Sequence, residues 1–279
     1  MRQRSKLFWP LAIFFGLFLF FLYGPISTII ILSFQGEQGG LTFPMNGVST
    51  HWFYALFQQQ RFGDFKGSFL RSFGLGFIVM SLCVIFGLMV GQAYRYRFKG
   101  ATLLFYLSIA SLIVPNILVS LGIGVLFDRL GWHLAWYTSG LAAHLTWTLP
   151  FALLIMLAIF NRFNRSYEEA ARDLGASELR TFREIVLPII LPSLVGVGLF
   201  GFTLSYDEFA RSALVMGEFN TLPLEIYAMT TNVTSPALYA LGTLTTLFSF
   251  GVIALFLIIT RRLQQRAGAL QQQLATQDE

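Results

Sequence analysis

Residues 161–192 read NRFNRSYEEAARDLGASELRTFREIVLPIILP. This is the longest charged and polar run in a chain that is otherwise mostly apolar, and long apolar segments flank it on both sides. A polar island between membrane spans must sit in water. Its local grammar is helical. Ser166 to Glu169 has the spacing of a capping box, with Ser166 as N-cap and Glu169 three residues on. Gly175 suits the left-handed residue that ends a helix. Ser177 is placed to cap a second helix, in which Leu179, Phe182 and Ile185 share one face and Glu178, Arg180 and Arg183 lie elsewhere. Pro188 fits the first turn of a further helix, where a missing N–H costs nothing. The island therefore reads as helix, glycine turn, helix, feeding directly into a span. It serves either as a solvated loop or as a docking element.

Working outward, the composition sets the class. Of 279 residues, 55% are hydrophobic and only 12% charged, with mean hydropathy +0.65. Soluble domains carry about 25% charge, so the chain is an integral membrane protein. Six segments have the length and apolarity of a span: about 9–34, bending at Gly24-Pro25; 69–94, with Gly87 and Gly91 allowing close helix packing; 102–127, interrupted by Pro115; 139–160, containing Pro150; 188–206; and 237–260. The run after Arg2, Arg4 and Lys6 is too long for a signal-peptide core and has no small-residue cleavage site, so it reads as an uncleaved first span.

The basic balance has a topological meaning. If the N-terminus is cytoplasmic, 14 of the 19 Lys and Arg residues fall in inside segments. That asymmetry places both termini and the polar island in the cytoplasm. It also removes the case for nucleic acid. The tail 264–279 is polar and Gln-rich.

Several chemistries are excluded. No Gly-rich phosphate loop with a following Lys occurs, so ATP is not bound in that way. The histidines, His51, His133 and His144, lack metal-ligand spacing. His144 reads as a buried, hydrogen-bonded residue, and Cys83 as packing. No nucleophile–base pair can be drawn. No charged residue stands in the apolar centre of a span, which argues against an ion-coupled pump. Energy for transport must then enter from elsewhere, and the polar island is the place for it.

A resemblance extends this reading. Glu169-Ala170-Ala171, three residues, Gly175, nine residues, then Ile185-x-Leu187-Pro188 resembles the coupling loop of type I ATP-binding-cassette importer permeases. The segments Phe202–Phe209 and Leu222–Met229, and Ser235-Pro236, are similar to those of spermidine/putrescine-type permeases, as are His144 through Phe151 and Pro115. Neighbouring branches that import iron, thiamine, opines or phosphonates share these features.

The resemblance implies an all-α membrane protein forming one permease domain over 1–279, with six transmembrane helices and a cytoplasmic helix-turn-helix coupling loop at 161–187. It implies a multi-pass protein of the bacterial inner membrane, and as partners a second permease, two ATPase subunits and a periplasmic solute-binding protein. No cofactor is expected on this chain; ATP and Mg belong to the ATPase subunits, so the chain is not itself an enzyme. Glu169, Ala170, Ala171, Gly175, Ile185, Leu187 and Pro188 are the expected coupling residues. Asn116, Tyr206, Asp207 and Glu208 are candidates for the solute path. Two positions depart from the polyamine pattern: Asn116 and Ala237 stand where such permeases often carry acidic residues.

Bland readings stay open beside these. Asp207 and Glu208 also fit interface charges at a helix end, with Arg211 near enough to neutralise them or to face an anionic solute. Asn116 also fits a side chain satisfying the carbonyl freed by Pro115. Gly198, Gly201 and Ser205 fit helix packing. A secondary carrier or channel with no ATPase partner is the alternative function.

Overall fold

The structure is a computed structural model that describes residues 7–58, 63–232 and 235–275. Arg2, Arg4 and Lys6, which contribute to the charge asymmetry, lie outside the described residues, as does the end of the polar tail. The helices in order are α1 (Phe8–Leu32), α2 (His51–Ala55), α3 (Phe65–Ala93), α4 (Ala101–Ile113), α5 (Asn116–Arg129), α6 (Leu141–Arg162), α7 (Ser166–Asp173), α8 (Glu178–Thr181), α9 (Leu187–Tyr206), α10 (Leu222–Asn232) and α11 (Ala237–Ala275). A π-helical turn, Trp136–Gly140, opens α6, and another, Phe182–Val186, joins α8 to α9. Among the described residues five helices are long and apolar enough to cross a membrane, or six if a bent pair counts as one span.

That bent pair covers the expected segment 102–127, and the interruption expected at Pro115 is a sharp bend. Helices α4 and α5 meet at 107°. Steric conflict with a following proline drives the preceding residue out of the helical region, and Val114 is extended, at φ −66° and ψ 131°. Pro115 itself has ψ 129°. Two successive non-helical residues turn the chain, so the proline ends one helix and caps the next. At Pro25 and Pro150 the helix instead continues through the ring.

The chain forms two compact units, Met1–Phe65 with Ile226–Phe250, and Lys66–Glu225 with Gly251–Glu279. In the first, the buried Gln35 organises the segment after α1: its Oε1 accepts from Asn46 N–H at 2.8 Å and its Nε2 donates to Gly40 O at 3.1 Å. Tyr239 Oη donates to Leu41 O at 2.6 Å, tying that segment to α11. In the second unit, α3, α6 and α9 supply the core: Leu75, Val79 and Cys83 pack with Ala152, Met156 and Phe160 and with Ile190, Leu194 and Val197. Within the second unit 44% of the α6 span and 39% of the α9 span are buried, so α6 and α9 form its framework.

Small residues bring these helices together, as lipid-embedded helices require. A Cβ on Gly91 would stand 2.7 Å from Met156 Cβ, and one on Gly87 would stand 3.2 Å from Ala152 Cβ. Gly198 faces Met80 and Val84 of α3, and Gly201 faces Cys83. The expected packing roles of Gly87, Gly91, Gly198, Gly201 and Cys83 hold. Gly91→Leu should therefore lower stability by about 1–3 kcal/mol through overpacking, read as an earlier thermal unfolding of the purified protein. Gly196→Leu, at a position where a Cβ meets nothing within 4 Å, should leave the midpoint unmoved.

Candidate functional site

Two polar regions stand out in the second unit. The first is the island itself. Helix α7 does not begin with the expected capping box: no side chain caps it, and Ser166 N–H donates instead to Asn164 Oδ1 at 3.1 Å. Glu168, beside the expected Glu169, is the residue engaged. Its carboxylate accepts two bonds from the Arg95 guanidinium at the end of α3, one of them at 2.9 Å from Nη1 to Oε1. Both side chains are nearly buried. The same guanidinium lies over the rings of Phe160 and Phe163, at 5.0 and 5.4 Å, and donates to Gln92 Oε1. Arg165 Nη2 donates to Arg95 O at 2.9 Å. Sequence reading missed this cluster because Arg95 counted only toward the charge asymmetry.

The end of α7 matches the sequence closely. Gly175 has φ +83°, Ala176 N–H donates to Ala171 O, and Gly175 N–H donates to Arg172 O. This is the paired-bond stop that satisfies the last carbonyls of a helix. Ser177 Oγ accepts from Arg180 N–H, as expected of a cap. Beyond it the structure differs. Pro188 stands in the first turn of α9, as expected, but that helix is not separate, because Glu178–Tyr206 runs as one continuous helical span. Pro188 cannot donate to the carbonyl four residues back, and the ladder widens into the π turn at Phe182–Val186 just before it. The island thus places its second helix in direct line with α9. Leu174 and Leu179 are exposed, at 90% and 64%, as is Tyr167. Their apolar faces are left uncovered by the other described residues.

Hydrogen bonding of Glu168 by Arg95 holds its carboxyl below the ordinary glutamate range, outweighing the opposite push of burial; Arg172 and Arg165 add to the lowering. A depressed carboxyl stabilises the fold above its unfolded pKa and loses that contribution as pH falls through the folded value. Hydrogen exchange of the 166–176 amides should accordingly stay level from neutral pH to about pH 5 and lose protection below about pH 4. In Glu168→Gln the protection should be weaker and flat over the same range.

The second region gathers at the end of α9. The segment 207–222 is pinned at four points: Leu214 N–H to Ser120 Oγ, Ser139 Oγ to Val215 O, Leu222 N–H to Ser72 Oγ, and Arg71 Nε to Asn220 O. His144 is fully buried, with Nδ1 2.8 Å from Ser205 Oγ and Nε2 2.9 Å from Ser212 Oγ, which is the expected hydrogen-bonded histidine. It gives Ser205 a partner in addition to its place on the packing face.

Arg211 is the centre of this region, and it is only 1% exposed. Its Nη2 donates to Asn116 Oδ1 at 3.0 Å and to Ser111 O at 3.3 Å, and Nη1 donates to Thr146 Oγ1. The guanidinium sits 5.5 Å from the Trp147 ring. Ser111 is four residues before Pro115, so its carbonyl is the one the proline deprives of a donor. Arg211, rather than Asn116, supplies the missing donor. Thr146 is likewise four residues before Pro150, and its carbonyl lies 2.7 Å from Ser111 Oγ, whose one hydrogen is shared with Ser108 O, also at 2.7 Å. One arginine and one serine thus answer both freed carbonyls. Glu208 is buried and its Oε1 accepts from Arg211 N–H at 2.8 Å.

The structure brings Asn116 and Glu208 together around Arg211. Tyr206 instead stacks on Phe202 at 5.7 Å and meets Phe69 edge-on, and Asp207 is exposed. Arg211→Met should destabilise the protein by about 1–3 kcal/mol by leaving these acceptors without donors. Arg211→Lys, which restores some of them, should recover part of the loss in a thermal unfolding assay.

A bundle of apolar helices with a polar foot in line with a central span fits a membrane transport protein. Comparison with known proteins agrees. Residues 83–267 match the family of binding-protein-dependent transport system inner membrane components, and the chain belongs to that family. It is 32% identical over 244 residues to the spermidine/putrescine transport system permease protein PotC of Haemophilus influenzae, covering 87% of this chain and 93% of that protein. It is 29% identical over 238 residues to the putrescine transport system permease protein PotI of Escherichia coli, covering 80% of this chain and 81% of that one. Its fold is similar to that of a bacterial ABC transporter involved in the import of the acidic polysaccharide alginate, with TM-score 0.65 at 17% identity over 94% of this chain and 98% of that one. It is also similar to that of the MetNI methionine ABC transporter in its inward-facing form, with TM-score 0.59 at 15% identity over 71% and 94%. The chain is thus a multi-pass protein of the bacterial inner membrane.

Proposed function

We propose that this chain is the permease subunit of an ATP-driven importer for polyamines such as spermidine and putrescine. The observation that carries the reading is its 32% identity to a spermidine/putrescine permease across nearly that protein's whole length. In this reading a second permease completes the path, two ATPase subunits hold the ATP and Mg, and a periplasmic binding protein delivers the solute. Both termini and the foot lie in the cytoplasm, supported by the distribution of Lys and Arg.

The foot is the ATPase contact. Its exposed Tyr167, Leu174 and Leu179 are apolar side chains that a partner subunit would cover. Glu169, Ala170, Ala171 and Gly175 shape α7 and its stop, while Ile185, Leu187 and Pro188 belong to the continuous helix that carries motion into α9. Closure of the ATPase dimer moves the foot, and the path alternates because the two states make different contacts there. Of the path candidates, Asp207 is the exposed carboxylate, and it makes the first attraction to a cation. Asn116, Tyr206 and Glu208 shape the wall behind it.

The test is uptake of labelled spermidine into proteoliposomes holding the assembled complex. Uptake should require ATP inside and the binding protein outside; uptake without nucleotide would support a carrier or channel instead. Gly175→Val should break the coupling while leaving membrane insertion intact. Its Cβ would meet nothing within 4 Å, so the cost is the left-handed backbone alone, about 1–2 kcal/mol. Uptake at the wild-type rate in that variant would refute the role given to the turn.

A further inference from the structure

Besides its short chain link to α6, the foot is attached to the bundle twice. One attachment is covalent, the continuous helix from α8 into α9. The other is the cluster around Arg95. It joins the end of α3 to α7 through Glu168, and to the end of α6 through the Phe160 ring. The direct chain link from α6 to α7 is only residues 163–165, and Phe163 is extended, with φ −74° and ψ 125°. Beside that short link, a buried bidentate ion pair adds a join that fixes orientation.

We propose that the Arg95–Glu168 pair is a second transmission arm, making Arg95 and Glu168 positioning residues that pass movement of α7 to α3 and α6 while α8 drives α9. This rests on the importer reading. The physical requirement is rigidity under load. Arg95 meets it because its guanidinium is held on three sides, by Gln92 Oε1, the Glu168 carboxylate and the Phe160 and Phe163 rings, and because Arg165 clasps its backbone carbonyl. By contrast, the Arg180–Glu184 pair on the foot is exposed on both sides and lies within one helix. Exposed pairs of that kind contribute little and connect nothing.

The experiment compares solute moved per ATP hydrolysed in the assembled complex for wild type, Glu168→Gln, Arg95→Lys and the exchange Arg95→Glu with Glu168→Arg. Glu168→Gln should lower that ratio about tenfold, within the usual range of coupling between sites, and the exchange should recover a substantial part of it. Arg95→Lys keeps the charge but gives up the two-pronged geometry; it should show an intermediate ratio, and it serves as the reading if Glu168→Gln does not assemble. A purely structural role would lower the amount of assembled complex and leave the ratio at its wild-type value in every variant, which would overturn the proposal. A wild-type complex that hydrolyses ATP without moving solute would overturn the importer reading itself.

Discussion

In hydrocarbon a backbone carbonyl without a donor has no water to turn to, and the cost is several kcal/mol. Proline creates such carbonyls wherever it enters a helix. This chain places prolines in or between the helices that form its core, and two of the freed carbonyls are answered from elsewhere in the fold. Pro115 frees Ser111, and Arg211 answers. Pro150 frees Thr146, and the Ser111 hydroxyl answers. At Pro188 the helix adjusts its own ladder through a π turn. The bent α4–α5 pair and the line from foot to α9 are two outcomes of the same constraint.

The constraint also accounts for a buried arginine that would otherwise be costly. A guanidinium with no carboxylate bonded to it in an apolar bundle is unfavourable unless hydrogen bonds and a ring face compensate. Arg211 has three oxygen acceptors and the Trp147 ring. It enters from a loop after α9, so the spans keep their uncharged sequence while the folded bundle gains a fixed positive charge. The neighbouring Glu208 is consumed in the turn that positions it. Asp207 is left as the exposed acid at that end.

Arginine plays the joining part at the opposite end of α6 too. Arg95 and Arg211 each reach across elements, each under an aromatic ring, and each with acceptors set in a fan that a lysine could not match. One secures the foot and the other secures the broken helix pair. Between them the α3, α6 and α9 framework is packed on glycines, where bending is resisted by direct contact. Such an arrangement passes a displacement along its length rather than absorbing it locally.

The sequence by itself determined the features that local chemistry controls. Apolar run length defined five of the spans. Gly175 and Ser177 marked a helix stop and a helix start because only certain residues satisfy those backbone groups. Glycine spacing on α3 and α9 announced close packing, and His144 was legible as a structural residue. Tertiary structure decided the matters that hinge on partners distant in the chain. Whether Pro115 kinks or breaks its helix, and whether Glu168 or Glu169 is bound, depends on side chains that are remote in sequence: Arg211 is 100 residues from Ser111, and Arg95 is 73 from Glu168. A local pattern shows that a carbonyl is freed or a carboxylate is available. Only the packed fold brings up the donor that claims it.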